Sequence, residues 1–222
     1  MPEVYKFTSF TTSNCYILRP FNNDICIFID LPPDLHEPLS YVKENKLTIG
    51  GALVTHGHFD HALGMQDFES SIYMNLEDEF LARNPQEQLA MFTDSEFKAA
   101  QYEGDISNLE SIPYDFIKTH HNPGHTAGST SFEFTSLGLI FTGDFVFRDS
   151  IGRTDLKSGN NNKMIDSIKN VYSKFNPDYE ILPGHGPSEK VSTISRGNIF
   201  IKEYLSDWAS KGYTEYIWKW CW

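Results

Sequence analysis

With 222 residues, 40% of them hydrophobic and 17 of them Phe, the chain can bury a substantial core, which excludes a disordered or fibrous segment and suggests a single domain. A formal charge of −12 works against a grip on nucleic acid or on an anionic membrane surface, because both depend on Lys and Arg meeting phosphate. Three scattered cysteines (Cys15, Cys26, Cys221) are too few for a disulfide framework, and no apolar run approaches the ~20 residues a bilayer helix requires, so a cytoplasmic protein is expected.

In chain order, Val4–Thr8, Tyr16–Arg19 and Ile25–Asp30 read as strands, with Asn22-Asn23-Asp24 as a turn that makes a meander. Asp30 closes an apolar strand and precedes Leu31-Pro32-Pro33, which cannot continue a ladder. Its carboxylate is either a support for the loop that follows or a turn cap. Leu35–Lys46 reads as a helix, and Gly51-Ala52-Leu53-Val54 as a short buried strand entered through a Gly-Gly break. Directly after it comes Thr55-His56-Gly57-His58-Phe59-Asp60-His61, which gathers four metal-binding side chains into six positions. His56 and His58 share a face of an extended segment, while Asp60 and His61 follow a turn and face a second point. Imidazole with carboxylate suits Zn, Fe or Mn rather than Ca or Mg.

Downstream, Ala62–Glu69 reads as a helix and Ser71–Met74 as a strand. Residues 75–103 form an acidic helical insert broken at Asn84-Pro85, expected to be a solvated insert rather than a lid. After a loop come strands at Tyr114–His120, Ser129–Thr135 and Gly138–Phe141, an amphipathic helix over 162–175, and a strand at Tyr179–Leu182. Ile199–Ser210 reads as a last helix with Gly212 as its C-cap. The tail 213–222 holds three of the four tryptophans and is expected to dock on the core or at an interface.

Three further single ligands stand beside glycine at strand ends: His125 in Asn122-Pro123-Gly124-His125, Asp144 in Phe141-Thr142-Gly143-Asp144, and His185 in Leu182-Pro183-Gly184-His185. With the first cluster they make five His and two Asp, enough for two adjacent metals, with the two-oxygen carboxylate of Asp144 as the natural bridge. This set resembles the metal motif of the metallo-β-lactamase fold superfamily. The resemblance implies an α/β fold, a four-layer αββα sandwich of two mixed β-sheets flanked by helices, with residues 1–222 as one domain. It also implies that His56, His58 and His125 hold one metal and Asp60, His61 and His185 the second, Asp144 bridging.

Thr142-Gly143-Asp144-Phe145-Val146-Phe147 and Ile151-Gly152-Arg153-Thr154-Asp155 are similar to short, single-domain glyoxalase II-like hydrolases. There a Lys that contacts glutathione occupies the place of Arg153, and a Tyr the place of Asp155. The resemblance therefore implies a metal-dependent thioester hydrolase acting on S-lactoylglutathione or a related small-molecule acyl-thiol, working as a monomer or homodimer. Two divalent metals, Zn first with Fe or Mn as alternatives, would sharpen a shared water into a hydroxide that Asp60 orients. Arg153 would bind the anionic end of the substrate, or else pair with Asp155 or Asp149. A mono-iron persulfide dioxygenase on the same scaffold is the alternative, and a phosphodiesterase or nuclease is disfavoured by the acidic balance.

Overall fold

A computed structural model describes residues 3–21, 23–90 and 98–209, the side chains of 207–209 excepted, and its backbone falls into two compact units, residues 1–115 and 116–222. The expected C-cap at Gly212 and the aromatic tail lie outside the described residues.

In the first unit β1 (Glu3–Thr8), β2 (Asn14–Arg19) and β3 (Ile25–Ile29) form the expected antiparallel meander. The sheet then continues in parallel through β4 (Thr48–Val54), β5 (Ile72–Met74) and β6 (Ser107–Asn108), making six strands in chain order. Helix α1 (His36–Glu44) lies in the β3–β4 crossover that a parallel pair requires. Residues two apart share a face, so Cys15 and Ile17, Cys26 and Phe28, Ala52 and Val54, and Ile72 and Met74 fall into one buried cluster with Leu35, Val42, Met65 and Phe68. The alternate residues Leu18, Ile27, Ile29 and Leu53 are buried as well, which is why these strands read as continuous apolar runs.

Two local expectations are corrected in this unit. Strand β4 already begins at Thr48 and runs straight through Gly50-Gly51 rather than starting at Gly51. The helix expected over Ala62–Glu69 is instead a four-residue turn, α2 (Phe59–Ala62), followed by a 3-10 stretch over Leu63–Asp67. The cause is competition for backbone partners: Leu31 N–H donates to His61 O at 2.8 Å and Gly64 N–H donates to Leu31 O at 2.9 Å. These bonds divert the groups that an α-helical ladder would use. The insert is helical at α3 (Glu79–Arg83) and α4 (Pro85–Leu89), while residues 91–97 lie outside the described set. Past them, 98–106 carries no helix.

In the second unit β7 (Ile117–His121), β8 (Thr130–Phe134) and β9 (Leu139–Gly143) form an antiparallel meander. β10 (Glu180–Pro183) pairs parallel to β9, and β11 (Glu189–Lys190) closes that edge antiparallel. Tyr114, expected to open β7, is left behind on the first sheet, where its hydroxyl donates to Gly50 O at 3.1 Å. Helix α5 (Asn161–Asn170) makes the β9–β10 crossover, capped by Asn160, whose side chain accepts from Lys163 N–H. It buries Met164 and Ile168 with Ile140, Tyr172, Phe175 and Ile181. Burial of each such side chain contributes about 1.5–3 kcal/mol. A short helix not expected from the sequence, α6 (Val191–Gly197), precedes α7 (Ile199–Ala209). The chain is α/β with two mixed sheets, and no helix of the described residues is long and apolar enough to cross a membrane.

Candidate metal centre

In the first unit the chain leaves β4 at Val54 and brings the four clustered candidate ligands together over residues 56–61. His56 and His58 have ring centroids 4.9 Å apart, and His56 and His61 4.3 Å apart, while Asp60 Oδ2 stands 3.5 Å from His61 Nε2. His56 and His61 are 1% and 0% exposed. Buried imidazoles need partners for their ring nitrogens.

Asp30 decides which nitrogen each ring presents. It sits in left-handed backbone, φ 61°, at the end of β3, and is 2% exposed. Thr55 N–H donates to its Oδ1 at 2.7 Å and Thr55 Oγ1 to its Oδ2 at 2.9 Å; His61 Nδ1 lies 2.9 Å from the same Oδ2. A carboxylate only accepts, so His61 carries its proton on Nδ1 and its lone pair on Nε2. Thr55 has already given its one hydroxyl proton to Asp30. Its oxygen, 3.1 Å from His56 Nδ1, must therefore accept, and His56 too keeps its lone pair on Nε2. One carboxylate thus prepares two imidazoles as ligands, the arrangement by which outer residues orient metal-binding histidines. Of the two roles open to Asp30 on sequence grounds, it performs the support.

In the second unit Asp144 and His185 sit at the ends of the adjacent parallel strands β9 and β10, and His125 in the β7–β8 turn. Asp144 Oδ2 lies 3.5 Å from both His125 Nε2 and His185 Nε2, a single oxygen equidistant from two imidazoles. His125 Nδ1 lies 2.8 Å from the Arg153 carbonyl oxygen, which can only accept, so this ring too offers Nε2. The Arg153 guanidinium grips Asp155 in a two-pronged pair, Nε–Oδ1 and Nη2–Oδ2 both 2.7 Å. That hydrogen-bonded guanidinium holds the Asp155 carboxyl down to about 2.

The loop carrying Arg153 turns on Gly152, where an added Cβ would collide with the Asp144 carbonyl oxygen and come within 3.0 Å of His125 Nδ1. Gly152→Ala is therefore expected to displace two ligand residues at once and weaken metal binding by at least about 10–100-fold, as loss of ligand support does. Chelator competition on the purified variant measures this, and wild-type affinity would contradict it.

The side chains fit a transition metal on their own chemistry. The first unit offers three imidazoles and one carboxylate and the second two imidazoles and one carboxylate, with three of the five rings fixed as Nε2 donors. Mixed nitrogen and oxygen donors of this kind bind Zn, Fe or Mn. Sequence reasoning missed the Thr55 relay and the Arg153 carbonyl. The first had a visible signal, a hydroxyl adjoining His56; the second, a main-chain group, had none.

Comparison with known proteins agrees with this reading. The profile of a family described as the Metallo-beta-lactamase superfamily matches residues 8–185. The hydroxyacylglutathione hydrolase GloC of Haemophilus influenzae is 30% identical over 210 residues, covering 90% of this chain and 97% of its own. Among solved structures, the BLEG-1 B3 metallo-beta-lactamase superposes with a TM-score of 0.80 at 24% identity, over 90% of this chain and 99% of that one. TTHA1623 in a di-iron-bound form follows with 0.78 at 23%, over 88% and 99%.

Proposed function

The chain belongs to the metallo-beta-lactamase superfamily, and on that premise we propose that it hydrolyses acyl-thioesters of the glutathione type at a centre of two divalent metals. The observation that carries the reading is the preparation of His56, His61 and His125 as Nε2 donors, because a histidine whose other ring nitrogen is bound to a carboxylate, hydroxyl or carbonyl is oriented as metal-binding histidines are. The family pattern divides the donors as His56, His58 and His125 about one metal and Asp60, His61 and His185 about the other, with Asp144 shared. The fold and the His/Asp donors imply divalent metals; zinc comes first in this reading, and Fe and Mn suit the same donor set.

Cations so held would supply Lewis acidity and lower the pKa of a bound water toward ~7. The remaining chemistry belongs to the side chains. Asp60 would orient the attacking water and accept its proton. A thiolate, whose conjugate acid has a pKa near ~8.5, departs without a dedicated general acid, so the donor set suffices for thioesters. The likeness to GloC supports a hydroxyacylglutathione as the substrate.

Release of thiol from S-lactoylglutathione, followed with a thiol reagent, tests the reaction together with elemental analysis. A kcat/KM above about 10⁴ M⁻¹s⁻¹ with two metals per chain is expected. One iron per chain and oxygen uptake with a persulfide, in place of thiol release, would overturn the proposal in favour of a dioxygenase.

Arg153 supplies the anion grip in this reading, and Asp155 competes for it. Arg153→Ala is expected to raise KM for S-lactoylglutathione by about 3–10-fold, the range for an exposed charge-assisted contact. Asp155→Ala, which releases the guanidinium, is expected to lower KM. An unchanged KM in both variants removes Arg153 from the substrate site.

A further inference from the structure

The metal loop is not held by its own sequence alone. His58 occupies the N-cap of α2, yet its side chain makes no capping hydrogen bond. Its role as ligand excludes capping, so the first helical N–H groups need another acceptor. The acidic insert provides it. Gln88, on α4 and 6% exposed, accepts from Phe59 N–H on its Oε1 at 3.0 Å. Its Nε2 donates back to Gly57 O at 3.2 Å and to Leu81 O of α3 at 2.9 Å. Asp78, fully buried just before α3, accepts Gly57 N–H on Oδ2 at 3.0 Å.

Three main-chain groups on either side of His58 are thereby fixed by two side chains from one segment. The approach is close enough to demand glycine: a Cβ on Gly57 would stand 2.5 Å from Asp78 O and 2.8 Å from Leu81 Cβ. The insert is tied together by its own contacts, since Arg83 Nη1 donates to Tyr102 O and to Gly104 O just past its end, both at 2.9 Å, and Gln86 Oε1 accepts from Ala99 N–H at 2.8 Å.

We propose that Gln88 is a positioning residue for the metal centre: it clamps the backbone around His58 and so sets the direction of that ligand and of the α2 turn carrying Asp60 and His61. The insert is then a brace that sets metal affinity, a role distinct from both a solvated appendage and a lid. The proposal rests on the metal reading above.

The test is a zinc titration of metal-free protein in competition with a chromophoric chelator. Gln88→Ala is expected to weaken zinc binding about 10–100-fold, the usual effect of losing support for a ligand. Gln88→Glu, nearly isosteric, keeps the acceptor for Phe59 but sets a carboxylate oxygen against two carbonyls, and is expected to weaken zinc in the same sense should the alanine variant fold poorly. Gln86→Ala, which loosens the insert without touching the loop, should bind zinc within about twofold of wild type; an ordinary surface change is of this size. Wild-type zinc affinity in both Gln88 variants, or an equal loss in Gln86→Ala, overturns the clamp. A wild-type protein that takes up no transition metal overturns the metal reading and the clamp with it, so the two failures are distinguishable.

Discussion

Replacing Asp144 by alanine is expected to abolish turnover and to reduce bound metal from two per chain to one or none. In the second unit the single oxygen Oδ2 stands 3.5 Å from Nε2 of both His125 and His185, which places one carboxylate oxygen between the two rings. By the family pattern, losing it removes a shared ligand outright. The activity loss should therefore exceed the roughly 10–100-fold that changes in supporting residues cost. It should also differ in kind from Arg153→Ala, which is expected to change KM and leave kcat in place. Elemental analysis beside the thioester assay decides the matter. Full activity in Asp144→Ala would show that the carboxylate does not bridge.

What the sequence makes legible here follows from distance along the chain. His56, His58, Asp60 and His61 announce themselves because they crowd into one loop after an apolar strand. His125, Asp144 and His185 are readable because glycine at a strand end is a recurrent way of swinging a side chain out. The strands β2 to β5 are legible from their continuous apolar runs and the helix α5 from its periodicity. The supporting contacts are not. Asp30 reaches Thr55 and His61 across 25 and 31 residues, and Gln88 reaches Gly57 across 31. No spacing rule links such pairs, since their proximity depends on parallel strand pairing and crossover geometry. The shortened α2 fails for a similar reason: propensity favours a helix over Ala62–Glu69, and the Leu31 turn takes its hydrogen bonds. The weak elements β11 and α6, with polar Ser188-Glu189-Lys190 leading in, carried no periodic signal.

Asp30→Asn should separate metal binding from folding more cleanly than any other change. Asparagine is among the residues that tolerate left-handed backbone, so φ 61° is kept, and its amide oxygen can still accept from Thr55 N–H. The new amide nitrogen, however, faces Thr55 Oγ1 and His61 Nδ1, which both donate to Oδ2 in the native chain. Donor against donor is resolved only by inverting the network. His61 must accept on Nδ1 and carry its proton on Nε2. Thr55, now accepting from the amide, turns its hydroxyl proton toward His56 Nδ1, which moves that ring's proton to Nε2 as well. Both lone pairs needed for ligation are then protonated, the same wrong-tautomer logic by which an Asp to Asn exchange behind a catalytic histidine disables it. By the family pattern one ring serves each metal, so affinity at both should fall at least about 10–100-fold. Asp30→Ala, by contrast, strands three buried donors at about 1–3 kcal/mol each and would confound metal loss with unfolding. Zinc competition gives the affinity, and ¹⁵N spectra of the imidazoles in the metal-free protein give the tautomer directly. An Asp30→Asn protein whose rings keep their protons on Nδ1, or which binds zinc as tightly as the native chain, would mean that the carboxylate merely caps its turn.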